Sequence, residues 1–251
     1  MRNLLLTLRF VGTNYCGFQV QKNGVTVAQR LQDAIEAVFG QRLPIKGCSR
    51  TDAMVHAYMF CVSFKTEKDI PCPAIIRALN ANLPYDIAVY GCTEVPEGFH
   101  ARYSCTGKEY LYKIDNGVSR DPFLHNLAYY YKHPLDVQAM DAAAKGVIGT
   151  CDFSAFCSAG SSVKDKVRTV YDCSVLREGS LVTVTVRGDG FLYNMVRIIT
   201  GTLLLAAEKG LTAQDIQGII ASKERSNAGA TAPPHGLYLN RVFYDEDSID
   251  N

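Results

Sequence analysis

A guanidinium and a carboxylate stand two residues apart at Arg50-Thr51-Asp52, within the run Gly47-Cys48-Ser49-Arg50-Thr51-Asp52-Ala53-Met54-Val55-His56-Ala57. Small and polar residues fill the first part of that run. Val55, Ala57, Met59 and Cys61 then alternate along the chain, the pattern of a loop feeding a half-buried strand. One carboxylate is therefore set at the mouth of a strand. In a tight loop the Arg50 guanidinium reaches the same cavity, and a nearby positive charge favours the ionised acid. An ionised, positioned Asp is a nucleophile or a base. The plain alternative is that Asp52 caps a turn by accepting from backbone amides, with Arg50 a surface cation beside it. Residues 47–57 by themselves leave both readings open.

The elements that must hold this loop are legible in the flanking pattern. Leu4 to Val11 reads as an apolar strand ending at the turn Gly12-Thr13-Asn14. Thr26 and Gln29 have the spacing of a capping box, and Val27, Leu31, Ile35 and Val38 recur at helical spacing until Gly40 stops the pattern. After the Asp52 loop, Val55 to Phe64 reads as a strand, Pro73 to Asn82 as a short helix and Ile87 to Thr93 as a strand. Tyr103 to Asn116 and Leu127 to Lys132 predict further strands, and Val137 to Ile148 a helix. Val167 to Leu176 and Leu181 to Arg187 predict an antiparallel pair, because Val182, Val184 and Val186 alternate with Thr183, Thr185 and Arg187. Two amphipathic helices follow, from Met195 to Ala206 and from Leu211 to Ala221, and Leu237 to Tyr244 predicts a closing strand. This element order predicts an α+β protein in two lobes, residues 1–102 carrying the Asp52 loop and residues 103–251 completing the site.

Composition narrows the class. A chain of 251 residues, 47% hydrophobic, supports one large or two intimate domains and argues against disorder. No apolar run approaches the roughly 18 to 20 residues that span a bilayer, and no cleavage-site pattern follows Met1, so a cytoplasmic protein is expected. The nine cysteines form no Cys-x-x-Cys pair, and Cys61, Cys92 and Cys173 sit in apolar runs, which predicts reduced core thiols. Five scattered histidines show no zinc-ligand spacing, so no metal is expected. Net charge is only +1, but residues 245–251 hold four acids, leaving 26 basic against 21 acidic residues in the body. That excess suits RNA only where the cations gather along one cleft.

Eight blocks in fixed order resemble the tRNA pseudouridine synthase A family. They are Gly12-Thr13-Asn14-Tyr15-Cys16-Gly17-Phe18-Gln19-Val20-Gln21, the Arg50-Thr51-Asp52 loop, Leu79-Asn80-Ala81-Asn82-Leu83-Pro84, and Phe99-His100-Ala101-Arg102-Tyr103-Ser104. Lys108-Glu109-Tyr110-Leu111-Tyr112-Lys113-Ile114, Phe153-Ser154-Ala155-Phe156, Gly190-Phe191-Leu192-Tyr193-Asn194-Met195-Val196-Arg197 and Thr231-Ala232-Pro233-Pro234-His235-Gly236-Leu237-Tyr238-Leu239 complete the set. The resemblance covers nearly the whole chain. It implies the pseudouridine synthase fold, two similar lobes with a joined, mostly antiparallel sheet, flanking helices and a central cleft. It also implies conversion of uridine to pseudouridine at positions 38 to 40 of the tRNA anticodon stem-loop, in a homodimer, with no cofactor. Because the glycosidic bond moves from uracil N1 to C5 without redox change, neither nicotinamide, flavin nor nucleotide triphosphate is needed. No G-x-G-x-x-G run or P-loop pattern is present in the sequence.

The resemblance assigns roles residue by residue. Asp52 takes the position of the catalytic carboxylate, and Arg50 that of a wedge entering the space left by the flipped base. Tyr110 matches a tyrosine that contacts the flipped uracil; on its residues alone, Tyr110 with Tyr112 reads equally as a pair of sheet aromatics. Arg197 opens an otherwise apolar helix, unusual unless it meets an anion, and the family pattern implies a pairing with Asp52. Removing one member of a buried pair would cost about 3 to 5 kcal/mol. Leu192 and Met195 line the uracil pocket or simply fill core. Arg77, Asn80, His100, Arg102 and the 161–168 loop with Lys164, Lys166 and Arg168 are candidate RNA contacts, each alternatively a solvated surface group. Three positions depart from the family pattern. Met54 and Ser49 stand where glycine is frequent and Phe18 where tryptophan is; the mild inference at Met54 is that the loop uses ordinary dihedrals.

Overall fold

The apolar run at the N-terminus forms the central strand β1 (Arg2–Phe10), in which Leu4, Leu6 and Leu8 are wholly buried and Leu5 nearly so. A strand buried on both faces needs neighbours on both edges, and β1 has them. It pairs antiparallel with β3 (His56–Thr66) on one side and β4 (Ile87–Val95) on the other. Along the remaining edge of β3 lie two partners, each paired over two residues: β2 (Lys46–Gly47), antiparallel, and β10 (Leu237–Tyr244), parallel through Tyr238↔His56 and Leu239↔Ala57. This is a computed structural model, and it describes residues 1–161 and 163–245. Ser162 of the expected RNA-contact loop and the acidic tail beyond Asp245 lie outside the described residues.

Two helices cover one face of that sheet. The α1 helix (Val27–Phe39) starts where Thr26 Oγ1 accepts from the Gln29 amide at 3.3 Å, and stops where Gly40 turns left-handed at φ 71°. Its buried stripe of Val27, Leu31, Ile35 and Phe39 has helical spacing, and Phe39 meets Phe64 edge-on at 5.5 Å. Phe39 thus takes the core place that the spacing assigns to Val38. The α2 helix (Cys72–Asn82) opens on prolines, which cost nothing in a first turn, and buries Ile75 and Leu79.

The second compact unit is Gly107–Leu237, the first being residues 1–106 with the chain from Tyr238 onward. The sequence pattern sets a boundary near 102 and leaves the last strand with the second half; contacts instead group β10 with the first unit, where it pairs with β3. In the second unit β5 (Cys105–Asp115) pairs antiparallel with β9 (Leu181–Gly188), β9 with β8 (Val167–Glu178), and β8 with β7 (Gly149–Asp152). Val182, Val184 and Val186 are buried and Thr183 and Thr185 half-buried, as the alternation requires. The predicted strand at 127–132 shrinks to β6 (Tyr129–Tyr130), parallel to the end of β5.

Three helices complete this unit. The α3 helix (Val137–Ala144), capped by Asp136, ends earlier than its hydrophobic pattern suggests and tightens into a 3-10 turn over Lys145–Val147. Gly146 lies in that turn. A Cβ there would stand 2.8 Å from that of Ile216 and 3.0 Å from the Ala213 carbonyl carbon, so a neighbouring helix needs the bare backbone. That neighbour, α5 (Ala213–Ser222), carries a full capping box between Thr212 and Asp215. The α4 helix (Met195–Lys209) packs on α3, with Ile198, Ile199 and Leu203 wholly buried. Its Gly201 touches the backbone of Gly229 and Ala230, an approach no larger residue allows. Among the described residues no helix is long and apolar enough to cross a membrane.

Candidate active site

Asp52 lies between β2 and β3, and its loop is fastened backbone to backbone onto the loop after β1. The Phe18 amide donates to Thr51 O at 3.2 Å and the Met54 amide to Tyr15 O at 3.2 Å. Two glycines permit this contact. A Cβ on Gly17, whose φ is +82°, would collide with the Thr51 carbonyl oxygen and sit 3.1 Å from the Asp52 carbonyl carbon. One on Gly12 would collide with the Val55 carbonyl. The Gly12–Phe18 block is therefore a backbone mould for the carboxylate loop, a role that no side-chain pattern announces. Phe18 completes it, stacking on Phe60 at 4.2 Å while its ring fills the space over Gly47.

The turn itself requires an unusual backbone. The Val55 amide donates to Asp52 O at 3.3 Å, which makes Asp52–Val55 a β-turn with Met54 at its third place, and Met54 has φ 65°. Positive φ at that place is the reason glycine suits it. The expectation of ordinary dihedrals at Met54 is thus corrected: turn geometry overrides the side chain's preference. Ser49 is not among the described residues with positive φ, so serine there carries no such strain.

Just past Asp52, the buried His56 accepts the Gly12 amide proton on Nδ1 at 2.9 Å, which leaves its remaining ring proton on Nε2. The imidazole face stacks on Tyr238 at 4.6 Å, and Tyr238 on Tyr58 at 5.0 Å. On the other side Tyr15 Oη donates to Asp86 at 2.5 Å, and burial, reinforced by that carboxylate, raises the phenol's pKa. These ties hold the backbone that holds Asp52. Arg50, His100 and Arg102 line one groove beside the loop, together with Lys46 and Tyr103. Arg77 is exposed on α2, whereas Asn80 is engaged: its amide donates to Val89 O at 2.7 Å and accepts from Val89 N at 2.9 Å, tying α2 to β4.

In the second unit Tyr110 is buried on β5 opposite Val186, its ring edge-on to Phe191 at 5.2 Å. Tyr112, on the same strand face, is an anchor: its fully buried hydroxyl donates to Pro233 O at 2.7 Å, and burial pushes its pKa above the ordinary phenol range. Arg197 occupies the first turn of α4, where the helix dipole disfavours a cation. Its guanidinium is held nonetheless, Nε donating to Ala232 O at 2.7 Å and Nη1 to Asn194 Oδ1 at 2.8 Å. Asn194 sits at φ 61°, a conformation asparagine tolerates, and also bonds Ser158 Oγ at 3.0 Å. The sequence pattern does not single out Asn194; the one signal it offers is an asparagine directly before an apolar helix. Leu192 and Met195 are both buried beside this turn.

The cations of the 161–168 loop divide. Lys164 is exposed and Lys166 half-buried, while Arg168 donates to Asp165 O at 3.2 Å and Val167 O at 2.5 Å, bracing its own loop. Among the described residues no group of three or more His, Cys, Asp or Glu side chains could hold a metal ion.

Mixed, mostly antiparallel strands with flanking helices make this the α+β pseudouridine synthase fold. The tRNA pseudouridine synthase family matches residues 7–104 and 143–245. Proteins named tRNA pseudouridine synthase A align along nearly the full chain. The one from Clostridium acetobutylicum is 43% identical over 97% of this chain and 100% of its own. That from Acetivibrio thermocellus is 45% identical with the same coverage, and that from Anoxybacillus flavithermus 44% identical over 98% and 100%. The chain belongs to the tRNA pseudouridine synthase family.

Proposed function

We propose that this protein isomerises uridine to pseudouridine in the anticodon stem-loop of tRNA, at positions 38 to 40. The observation that carries the reading is Asp52 at a strand mouth on a backbone mould of Gly12 and Gly17, in a chain 43% identical to a tRNA pseudouridine synthase A along 97% of its length. The reaction breaks the bond from ribose C1′ to uracil N1 and forms one to C5; the C5 proton is lost and N1 regains one, so atoms and charge balance. Asp52 supplies the carboxylate that engages the sugar or base during this exchange.

A stacked uridine is out of reach of that carboxylate, so it leaves the stem at a cost of roughly a few kcal/mol. Arg50 takes its place in the stack. Tyr110, with Leu192 and Met195, receives the uracil, and Arg197 serves as the catalytic cation. Arg77, His100, Arg102, Lys164, Lys166 and Arg168 hold phosphates, which positions the RNA without reading its sequence. The protein works in the cytoplasm as a homodimer whose two copies share a tRNA.

The test is direct. Unmodified tRNA transcript is incubated with the wild type and with Asp52→Ala, and pseudouridine is measured by mass spectrometry after digestion. Product at positions 38 to 40 from the wild type alone is expected. Equal product from Asp52→Ala removes the carboxylate from the mechanism, and release of free uracil makes the protein a glycosidase instead.

A further inference from the structure

We propose that the groove lined by Lys46, Ser49, Arg50, His100, Arg102 and Tyr103 is a subsite for one single-stranded nucleotide of the substrate RNA, its phosphate held by Lys46 and Arg102 and its base stacked on Tyr103. This rests on the reading of the protein as a tRNA-modifying enzyme and adds where, and by what chemistry, a nucleotide beside the target is gripped.

The cations and the tyrosine reach the groove from β2 with Lys46, the start of the Asp52 loop with Arg50, and residues 100–103, while residues 18–20 and Ala28 and Gln32 of α1 complete its wall. Its volume is about 430 Å³, within the range of small-ligand pockets, and none of its lining residues is acidic. Three cations drawn together without a carboxylate repel one another, and an anion relieves that repulsion. The imidazole of His100 reports the same field. Burial first, then Lys46 and Arg102, holds its pKa below the ordinary histidine value.

His100 is locked in place. Its amide donates to Ser104 Oγ at 3.1 Å, its Nδ1 accepts from the Arg102 amide at 3.1 Å, and its ring lies 4.4 Å from that of Tyr103. Tyr103 is thereby supported from beneath while 78% of it stays exposed, an aromatic face of the kind on which nucleobases stack. Bases within a duplex offer no free face to such a ring, so the occupant is unpaired. Arg50 joins the groove to Asp52 two residues on, which places this nucleotide beside the flipped uridine.

Binding of a fluorescent, unmodified anticodon stem-loop RNA and of a fully paired duplex of equal length is measured by anisotropy across a salt series. The Lys46→Ala/Arg102→Ala variant is expected to lower the slope of log affinity against log salt by about 0.7 to 0.9, one phosphate contact. Tyr103→Ala is expected to weaken the stem-loop about 5- to 100-fold and leave the duplex unchanged, while Tyr103→Phe binds as the wild type. All these side chains are at the surface, and equal melting temperatures confirm intact folds. An unchanged salt slope, or Tyr103→Ala affecting both RNAs alike, overturns the subsite. Should the wild type make no pseudouridine while these binding effects persist, the enzymatic reading fails and the subsite stands; a wild type that makes pseudouridine without them sinks the subsite alone.

Discussion

Gly17→Ala tests the claim that the carboxylate is aimed by backbone contact. The added methyl meets two penalties. At φ +82° an alanine pays the left-handed penalty of about 1–2 kcal/mol. Its Cβ also collides with Thr51 O and lies 3.1 Å from the Asp52 carbonyl carbon, both backbone atoms that cannot rotate away. Restoring ordinary separation requires the Asp52 loop to shift by on the order of 1 Å, and overpacking of this kind costs about 1–3 kcal/mol. Reduced freedom of the unfolded chain returns about 0.4–1 kcal/mol. The net is roughly 1–4.5 kcal/mol, a fall in melting temperature of about 2–18 °C for a chain of this size. A displacement of about 1 Å at a reacting group costs on the order of 100-fold in rate. Differential scanning calorimetry and single-turnover pseudouridine formation at saturating tRNA read the two effects, with tRNA affinity expected to stay near the wild type's. Gly218→Ala is the control: it lies inside α5 with nothing within 4 Å of the methyl that alanine would add, and alanine there stabilises by up to about 1 kcal/mol. A Gly17→Ala enzyme that melts with the wild type and turns over within twofold of it refutes the mould.

Met54→Gly should work in the opposite direction. Relief of the φ 65° strain outweighs the entropy of a new glycine by about 0.5 kcal/mol, so chemical denaturation should show equal or slightly higher stability with activity retained; a loss above about 1 kcal/mol would mean the Met54 side chain contributes more packing than its strain costs. Asp152 predicts a pH dependence. The Lys223 ammonium at 2.8 Å, helped by Ser154, lowers its carboxyl to about 2. A depressed carboxyl contributes stability that is present above its unfolded value near 4 and is lost as pH falls through about 2. With Lys223 61% exposed, solvent screening reduces this to about 1 kcal/mol. Urea titrations of Asp152→Asn should therefore show a deficit of that size at pH 6 that closes as the pH approaches 2, and a deficit independent of pH would assign the loss to packing.

Local pattern carried far in this chain. The α1 helix was readable end to end because its start is a Thr26 side-chain cap and its stop a left-handed Gly40, both interactions within a few residues. The β8 and β9 pair followed from strict alternation, which one buried face imposes. Where local rules failed, a neighbour distant in sequence decided. The 3-10 turn after α3 takes glycine at 146 because α5 packs against it, and β6 contracts to two residues where Ile114 and Asp115 offer it a ladder. The order of the blocks was likewise enough to name Asp52, Arg50, Tyr110 and Arg197 as candidates, since reacting groups must be particular residue types.

What residue types cannot express is the support beneath those groups. The hold of Gly12 and Gly17 on the Asp52 loop, the positive φ forced on Met54, the Asn194 clamp on Arg197 and the grouping of Lys46 with Arg102 are all contacts or conformations set by the folded chain around them. Sequence by itself determined the family and most element types and named the candidate reactive side chains, because these depend on local propensity and side-chain chemistry. Only tertiary structure decided how the Asp52 loop is held, because that depends on backbone atoms, which every residue shares and no sequence pattern distinguishes.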